Sequence, residues 1–457
     1  MKPETSQKSH QQSGTLSTPA MLGYCGGNLG KNILAGSLGL FQLYFMTDIL
    51  GLAPALAGVL VLLALLWDAL LDPLVGLWSD RVYNRFGKYG AFILLGAPLA
   101  SASFLLFFFL PFLFGSDGAG FWLVLAALLL FRSCYTILDL PHNALIARIS
   151  PDSRERGKIA VTRFFFSSLS MLMISGASFL IFSDQAGSGE AWLFAQAALV
   201  AAGISLAVMW LSWLSVARRD RAGPRQTRRE SFSWQAHLAA LQLGDVRLLL
   251  AAGMLGAFGP PTFMRMLPYM NVYVFADDRA VSTGLLAIVL GQLVSAPVWA
   301  WLSHRWNKAT TMIAAHGLLI LAMLAFLVTV ETVGPIFWAL TFVMGIAYCG
   351  MFSIVWGMGA DVIDLIELRT GVRLEAILIG LLVLVMKAGE GLSGAAIGMG
   401  LDLAGFSGNS ISDQGRSAII WLACLIPIVA ASGAMLCLFR YSLSHAEHAR
   451  IRAALPG

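Results

Sequence analysis

Charge is scarce in this chain of 457 residues, since charged residues make up only 12% of it. A soluble domain carries about 25% charged residues, so a water-soluble enzyme is excluded. Hydrophobic residues supply 58% of the chain, and the mean hydropathy is +0.76. Intrinsic disorder is excluded as well, because it needs low hydrophobicity and high net charge. The expected solvent of this chain is the lipid bilayer.

Paired cysteines are also missing. The five cysteines stand singly in apolar stretches, as small core residues do: Cys25, Cys134, Cys349, Cys424 and Cys437. The net charge of +5 is too small to indicate nucleic acid, and the polar residues 1–18 lack the apolar core of a cleavable signal peptide. We expect no cofactor. The expected partners are the lipid bilayer and a small-molecule substrate, with the chain functional as a monomer.

Long apolar runs are abundant. A transmembrane helix needs about 20 mainly apolar residues, and twelve such runs can be placed. They cover residues 20–47, 53–79, 89–114, 120–149, 159–183, 190–216, 247–276, 281–303, 309–331, 334–361, 374–402 and 417–440. The sequence predicts an all-α integral membrane protein with twelve transmembrane helices in two six-helix bundles. The expected divisions are an N-terminal tail (1–19), a first bundle (20–216), a linker (217–245), a second bundle (246–440) and a C-terminal tail (441–457).

Lysine and arginine are distributed unevenly between the two ends of these helices. Most of the 30 basic residues lie in the termini or the even-numbered connections, and the linker is especially rich in them. The odd-numbered connections carry acidic residues instead, including Asp117, Asp184 and Glu190. By the positive-inside rule both termini are cytoplasmic. The expected location is the cell (inner) membrane.

The two halves of the chain repeat a pattern. Residues 76–90 after the second helix and 296–311 after the eighth both combine an aromatic turn with a short basic loop. Matching loops of this kind indicate a parallel repeat about an axis along the membrane normal. Charged residues near the helix ends are expected to act as gating latches: Asp80, Arg81, Lys88, Asp361, Asp364 and Arg373. A generic positive-inside loop is the alternative, above all for the second copy.

Charges inside the membrane cost about 2.5–3.5 kcal/mol each on insertion scales, so each one is a functional candidate. Asp68 and Asp72 in the second helix are spaced i to i+4, which places both carboxylates on one face. Because like charges repel there, the pair is suited to bind a monovalent cation or to exchange a proton. Pro73 frees backbone carbonyls that can add ligands. The alternative is a salt bridge from one aspartate to a buried Arg or Lys.

A polar stripe lies in the fourth helix, where Thr136, Asp139 and Asn143 are spaced i, i+3 and i+7. Arg163, at the start of the fifth helix, is close enough along the chain to neutralise Asp139 across this helix pair. That Asp139–Arg163 pair belongs either to a substrate site or to the structural frame alone.

The remaining substrate-site candidates come from helices 1, 7, 10 and 11: Lys31, Asn32, Arg265, Trp356, Lys387 and Glu390. Lys387 and Glu390 are spaced i to i+3, so a self-neutralising pair is the alternative to a binding role. Trp356 lies near the middle of helix 10, where it could stack on a sugar ring, although core tryptophans are commoner.

Together these residues form a recognisable pattern. Its segments are GYCGGNLGKN, LYFMTDILGL, WDALLDP, SDRVYNRFGKYG, YTILDLP, RERGKIAVTRFF and GADVIDLIELRTGVRLEA, spread over nearly the whole chain. The chain resembles the glycoside–pentoside–hexuronide:cation symporters, the melibiose-permease-like branch of the major facilitator superfamily. That resemblance implies the major facilitator fold and cation-coupled sugar transport by alternating access. It also implies a cation site of Asp68, Asp72 and Thr136, and a substrate cavity with Asp139, Arg163 and Lys387 in or beside it.

Departures from the family pattern refine these expectations. Sodium-using members have asparagine where this chain has Leu71, and the loss of that neutral ligand favours a proton. Sodium is the alternative, in which case Asp68 and Asp72 bind a metal ion. Asn32 and Asn143 replace an aspartate and a tryptophan that contact sugar in the galactoside-transporting branch. Cations outnumber carboxylates among the candidate residues, which favours an anionic, hexuronide-type solute.

Two other functions stay open on the sequence. An exporter or transporter of a lipid-like or drug-like amphiphile is compatible with the missing tryptophan and the apolar bulk of the chain. An integral-membrane metal-dependent transferase would need clustered carboxylates in a DG…AR pattern, which the sequence lacks. His142 is expected to line a cavity or to be structural, with no catalytic role. We therefore expect a transporter and not an enzyme.

Overall fold

A computed structural model describes residues 16–82, 85–115, 120–150, 153–182, 189–222, 240–371, 375–406 and 413–454. The long apolar runs fold into helices because, in lipid, a helix satisfies its backbone polar groups within one segment. Prolines in the first turn mark three of the helix starts, at Pro19, Pro54 and Pro335. The all-α prediction is confirmed.

Within the described residues, twelve long helices make up the two halves. The first half contains α1 (Thr18–Tyr44), which continues as a π-helical turn (Phe45–Ile49), α2 (Pro54–Arg81), α3 (Gly90–Phe114), α4 (Phe121–Ile149), α5 (Ser153–Ile181) and α6 (Glu190–Ala222). The second half contains α7 (Gly244–Tyr269), which continues as a π-helical turn (Met270–Phe275), α8 (Ala280–Arg305), α9 (Lys308–Thr329), α10 (Pro335–Thr370), α11 (Glu375–Leu403) and α12 (Asp413–Phe439). A short helix, α13 (His445–Ala454), follows.

Eleven of these helices, α2 to α12, are long and apolar enough to cross a membrane. α1 is equally long, but Asn28, Lys31 and Asn32 lower its hydropathy. Asn28 and Lys31 are buried, because α1 packs among α5, α6 and α7. Polar residues at α1 therefore belong to the protein interior and do not face lipid. Of the predicted linker, residues 223–239 lie outside the described residues.

The helices pack as two groups of six that meet along three helix pairs. Within the first group α1 packs on α5 and α6, and α3 packs on α4 and α6; within the second, α7 packs on α11 and α12, and α10 packs on α8 and α9. Between the groups, α2 packs on α11, α1 on α7 and α5 on α8. The two groups, hereafter the N-terminal and C-terminal bundles, therefore face each other across α1, α2 and α5 on one side and α7, α8 and α11 on the other.

The two bundles are in contact on one side of the molecule. We call the side at which α1 begins and α12 ends the termini side, and the opposite one the distal side. On the distal side the Ser175 hydroxyl donates to the Ser282 carbonyl at 2.6 Å, and the hydroxyls of Thr47 and Tyr269 are 2.8 Å apart. Gly398 of α11 lies directly against α2, where an added Cβ would collide with the Pro54 carbonyl. The distal side is thus closed by direct packing of both bundles.

The contacts on the termini side differ from those on the distal side. Among the described residues, no hydrogen bond or ion pair joins the bundles there. The charged contacts described on this side each lie within one half of the chain. In the second half, Lys308 pairs with Asp361 at 2.7 Å, and His448 of α13 lies 3.0 Å from Asp364. The contacts seen for the predicted latch residues Asp361 and Asp364 are therefore within the C-terminal bundle. Arg373 and the side chain of Asp80 lie outside the described residues.

The loop before α3 is held by a carboxylate that sequence reasoning missed. Asp220 of α6 accepts hydrogen bonds from the backbone N–H groups of Lys88, Tyr89 and Gly90. Gly87 beside it has φ +110°, and an added Cβ would collide with the Asp220 carboxylate. Glycine is required here by both conformation and space. The predicted latch residue Arg81 is exposed.

Candidate functional site

The first polar group at the centre of the molecule is the cation cluster, formed by Asp68, Asp72, Arg132, Thr136 and Lys387. The Thr136 hydroxyl donates to Asp68 Oδ1 at 2.5 Å. Lys387 Nζ lies 2.5 Å from Asp72 Oδ2 and 3.0 Å from Asp68 Oδ2. Arg132 is further away, with its guanidinium 3.8 Å from Asp68. The i, i+4 spacing on α2 thus brings both carboxylates to one cation.

That cation comes from the other bundle. Lys387 lies on α11, which packs against α2 at the bundle interface. Its ammonium occupies the place between the carboxylates that a coupling cation would take. The predicted alternative, a pair of Lys387 with Glu390, does not form: each residue has a partner on another helix.

The second polar group is the amide cluster, formed by Asn28, Lys31, Asn32, Asp139, Asn143, Arg163 and Ser167. Lys31 Nζ donates to Asp139 Oδ1 at 2.6 Å and to Asn143 Oδ1 at 2.5 Å. Asn143 in turn donates to the second oxygen of Asp139 at 3.0 Å. Within the polar stripe predicted on α4, Asp139 and Asn143 therefore face α1, whereas Thr136 faces α2. The partner of Asp139 is Lys31, whereas we expected Arg163.

Arg163 is bound by neutral groups. Its Nε donates to Asn28 Oδ1 at 2.9 Å, and its Nη2 donates to Asn143 Oδ1. No carboxylate within the described ranges forms an ion pair with it. The predicted Asp139–Arg163 pair is therefore wrong, because Lys31 of α1 forms the ion pair with Asp139 instead.

Two members of this cluster were missed by sequence reasoning. Ser167 Oγ accepts from Asn32 Nδ2 at 2.6 Å and from Asn28 Nδ2 at 3.2 Å. Asn28 precedes Lys31 by three residues, and Ser167 follows Arg163 by four. Helical spacing to a predicted site residue was the available signal in both cases.

Arg265 and Glu390 form a third arrangement that connects both bundles. Arg265 Nη2 pairs with Glu390 Oε1 at 2.8 Å, and Arg265 Nε donates to the Gly39 carbonyl of α1 at 2.9 Å. The Arg265 side chain is almost fully buried, at 1% exposure. Its described contacts include the Gly39 carbonyl and Glu390, so the geometry favours a structural role over the predicted substrate contact.

Trp356 and His142 complete the predicted set. Trp356 is partly buried and packs edge-on against Phe352, with ring centroids 6.3 Å apart; its stacking on a sugar stays a prediction. His142 is fully buried, stacks on Tyr24 and lies 3.0 Å from the Ser212 hydroxyl. These contacts join α1, α4 and α6, as expected of a structural histidine.

The charges of the centre do not cancel. Five cations (Lys31, Arg132, Arg163, Arg265 and Lys387) lie with four carboxylates (Asp68, Asp72, Asp139 and Glu390). The surplus is one positive charge, and Arg163 is the cation without an acidic partner in the part of the chain that is described.

Comparison with known proteins gives the family context. Residues 23–445 match the family model described as MFS/sugar transport protein. The glucuronide carrier protein homolog of Escherichia coli is 24% identical over 400 residues, covering 87% of this chain and 86% of the relative. The inner membrane symporter YicJ of the same organism is 23% identical over 427 residues, covering 92% and 90%. The sodium-dependent lysophosphatidylcholine symporter 1 of Mus musculus is 25% identical over 468 residues, covering 94% and 86%.

Solved transporter structures share the fold. The nucleoside transporter NupG aligns with a TM-score of 0.65 at 15% identity, covering 93% of this chain and all of the other. A bacterial homologue of the human lysosomal transporter Spinster, in an inward-facing and unoccupied conformation, aligns with a TM-score of 0.63 at 14% identity, covering 93% and 96%. The predicted fold of twelve helices in two bundles is confirmed by these neighbours.

Proposed function

The chain belongs to the MFS/sugar transport family, and from the charges at its centre we propose that it couples the transport of a sugar-like, anionic solute to a proton. It is a multi-pass membrane transporter and not an enzyme. The proposal places it in the cell (inner) membrane with both termini cytoplasmic, on the strength of the basic residues in the even-numbered connections.

One observation above all supports the coupling: the Lys387 ammonium lies 2.5 and 3.0 Å from Asp72 and Asp68. A monovalent cation that binds the two carboxylates must replace this ammonium. Because Lys387 belongs to the other bundle, the replacement also releases a contact between bundles. In the empty transporter Lys387 neutralises the carboxylates again and allows the return step.

The surroundings of the two aspartates favour a proton at Asp72 over sodium. One oxygen of Asp68 accepts a hydrogen bond from Thr136, and the guanidinium of Arg132 lies 3.8 Å from the other. Both groups favour the ionised form of Asp68, and the guanidinium repels a metal ion, so we propose that Asp72, which pairs with Lys387, is the carboxylate that takes up the proton. Leu71 offers no neutral oxygen to sodium. The sodium-dependent relatives keep sodium as the alternative.

The amide cluster supplies the chemistry for the solute. Asn28, Asn32 and Ser167 have amide and hydroxyl groups that suit sugar hydroxyls. The Arg163 guanidinium suits a carboxylate, which it can bind through two parallel hydrogen bonds. A hexuronide carries both features. Closure on the distal side, combined with cytoplasmic termini, implies that this state faces the cytoplasm and that alternating access opens the other side.

Transport by proteoliposomes tests the proposal. In sodium-free buffer, addition of a methyl glucuronide to vesicles of the wild type should raise the external pH. Asp72→Asn should abolish this signal and uphill uptake, because it removes a carboxylate from the cation cluster. Asp245→Asn is the matched control, since Asp245 lies on the termini side and binds Ser442. Strict dependence on sodium would contradict proton coupling, and normal uphill uptake by Asp72→Asn would contradict the cation site.

An amphiphile is the second candidate solute, favoured by the lysophosphatidylcholine symporters among the relatives. A phosphate group could meet Arg163 as a carboxylate would. Thermal-shift titrations of purified protein with methyl glucuronide and with lysophosphatidylcholine separate the two. Stabilisation by lysophosphatidylcholine alone would replace the sugar-like solute by a lipid-like one and leave the cation site as proposed.

A further inference from the structure

A groove on the outer face of the N-terminal bundle plays no part in the proposed transport site. Its volume is about 580 Å³, and it is lined by residues of α1, α3, α5 and α6. The groove exists because α5 packs mainly on α1 while α6 packs on α1 and α3, so that α5 and α6 diverge. Ala177 on α5 and Ala197 and Ala201 on α6 leave its walls free of bulk.

The groove opens sideways. Leu180 of α5 and Val200 of α6 line it, and they are 64% and 62% exposed. Both helices have the length and composition of membrane spans. At this depth the surrounding medium is the hydrocarbon of the bilayer, so lipid chains reach the groove and water does not.

The dimensions match one acyl chain. Along α6 the lining extends from Leu193 to Ile204, a rise of roughly 16 Å at about 1.5 Å per residue. Half of a hydrocarbon core of about 30 Å is about 15 Å. These residues belong to the distal half of α6, so the groove spans one leaflet.

The polarity of the groove also matches a lipid. Gln196 is exposed and lies near the distal start of α6, where the headgroup region begins. Deeper in, the floor is formed by Phe104 and Phe108 of α3 and by Ile33 of α1. A polar mouth above an apolar interior is complementary to an amphiphile. We propose that this groove binds one acyl chain of a phospholipid of the distal leaflet.

The bound acyl chain would lie against the face of α1 that lines the groove. Ile33, Ser37 and Phe41 of α1 line the groove, whereas Lys31 of the amide cluster is turned away from Ile33 by about 200°, at about 100° per residue. Two faces of one helix thus serve two ligands. The lipid site is therefore separate from the transport site, and its existence does not depend on the nature of the solute.

Native mass spectrometry of delipidated protein in detergent, titrated with dioleoyl phosphatidylglycerol, tests the proposal. Ala197→Phe fills the groove from α6 and should reduce the fraction with one bound phospholipid by about fivefold or more, which corresponds to about 1 kcal/mol. Ala207→Phe is the matched control, because Ala207 is exposed on the same helix and does not line the groove. It should bind phospholipid like the wild type.

Ala177→Phe fills the groove from the opposite wall and provides an independent variant if Ala197→Phe fails to fold, as judged by size-exclusion chromatography. Equal phospholipid binding by the groove-filling variants and the control would overturn the proposal. So would a wild type that binds a second copy of this chain at the groove, detected as a dimer lost in Ala197→Phe, in place of phospholipid.

Discussion

The two bundles contribute unequally to the centre of the molecule. The N-terminal bundle supplies both aspartates of the cation cluster and all seven residues of the amide cluster. The C-terminal bundle supplies two cations that cross to the other side, Lys387 and Arg265. In the proposed function, the N-terminal bundle therefore holds the binding chemistry, and the C-terminal bundle contributes two cations that reach it.

The two crossing cations differ in what they contact. Lys387 ends on carboxylates, whose charge changes when a cation binds. Arg265 ends on the Gly39 carbonyl, which cannot be titrated, and pairs with Glu390 of its own bundle. Only the Lys387 contact can therefore respond to the coupling ion. We therefore propose that Lys387 acts in coupling and that Arg265 connects the bundles mechanically. The first two of the four experiments below test this division, and the other two test the residues of the N-terminal bundle.

The largest effect is expected for Lys387→Gln. Without the ammonium the empty transporter keeps an unneutralised carboxylate pair, so net uphill uptake should fall by about tenfold or more, since leaving a buried charge unpaired costs several kcal/mol. Exchange of solute across the membrane should persist, because it needs no return of the empty form. Lys308→Gln, whose lysine pairs within the C-terminal bundle, should leave both activities intact. Loss of exchange together with net uptake would argue against this role.

Arg265→Met should act on stability more than on coupling. Glu390 would lose its partner and α1 would lose a contact to α7, so the free energy of unfolding should fall by about 2–3 kcal/mol, less than for a fully buried pair because Glu390 is partly exposed. Thermal melting in detergent measures the change. The double variant with Glu390→Met should recover part of the lost free energy of unfolding. Loss of coupling between solute and proton in Arg265→Met, at unchanged stability, would contradict the mechanical role of Arg265.

Arg163→Gln tests the N-terminal bundle. Loss of a charged hydrogen-bond donor to the solute should cost about 1.5–3 kcal/mol, or roughly 10-fold to 100-fold in affinity. The effect should appear for methyl glucuronide and be small for methyl glucoside, measured by competition against labelled solute. Arg163→Lys keeps the charge, so its affinity for methyl glucuronide should lie between those of the wild type and Arg163→Gln. An equal loss for both solutes would indicate that Arg163 only orders the amide cluster.

Thr136→Val should give the smallest effect. It removes the hydroxyl that donates to Asp68 at 2.5 Å while keeping the shape of the side chain. Cation affinity should change by about fivefold to tenfold, since one hydrogen bond contributes about 1 kcal/mol. Thr136→Ser retains the hydroxyl and should behave as the wild type in ion-dependence curves of uptake. Identical curves for Thr136→Val would exclude the hydroxyl from the cation site.

The sequence predicted the elements of the site better than their partners. Helical periodicity and hydropathy located the helices, and the i, i+4 spacing correctly placed Asp68 and Asp72 on one face of α2. The same spacing argument failed for Lys387 and Glu390, because both side chains reach other helices. Spacing defines which residues share a face, whereas the helix opposite that face is chosen by tertiary packing.

Asp139 illustrates the same limit. Arg163 lies on the helix that follows Asp139 in the sequence, yet the nearer cation in space is Lys31 on α1. Proximity along the chain favoured the wrong partner, because Lys31 of α1 comes close to Asp139 only once the fold is formed. Buried ion pairs among several candidate charges are therefore the part of such a site that one sequence determines least.

The π-helical turns at the ends of α1 and α7 have a consequence for how one helix serves two surfaces. Each such turn accommodates a surplus residue in the helix, which advances the phase of everything beyond it by about 100°. Lys31, before the first turn, contacts the interior of its own bundle, while Thr47 within the turn contacts Tyr269 of the other. Deleting a single residue from Phe45–Ile49 would rotate these two functions out of register, although no side chain at either contact had changed.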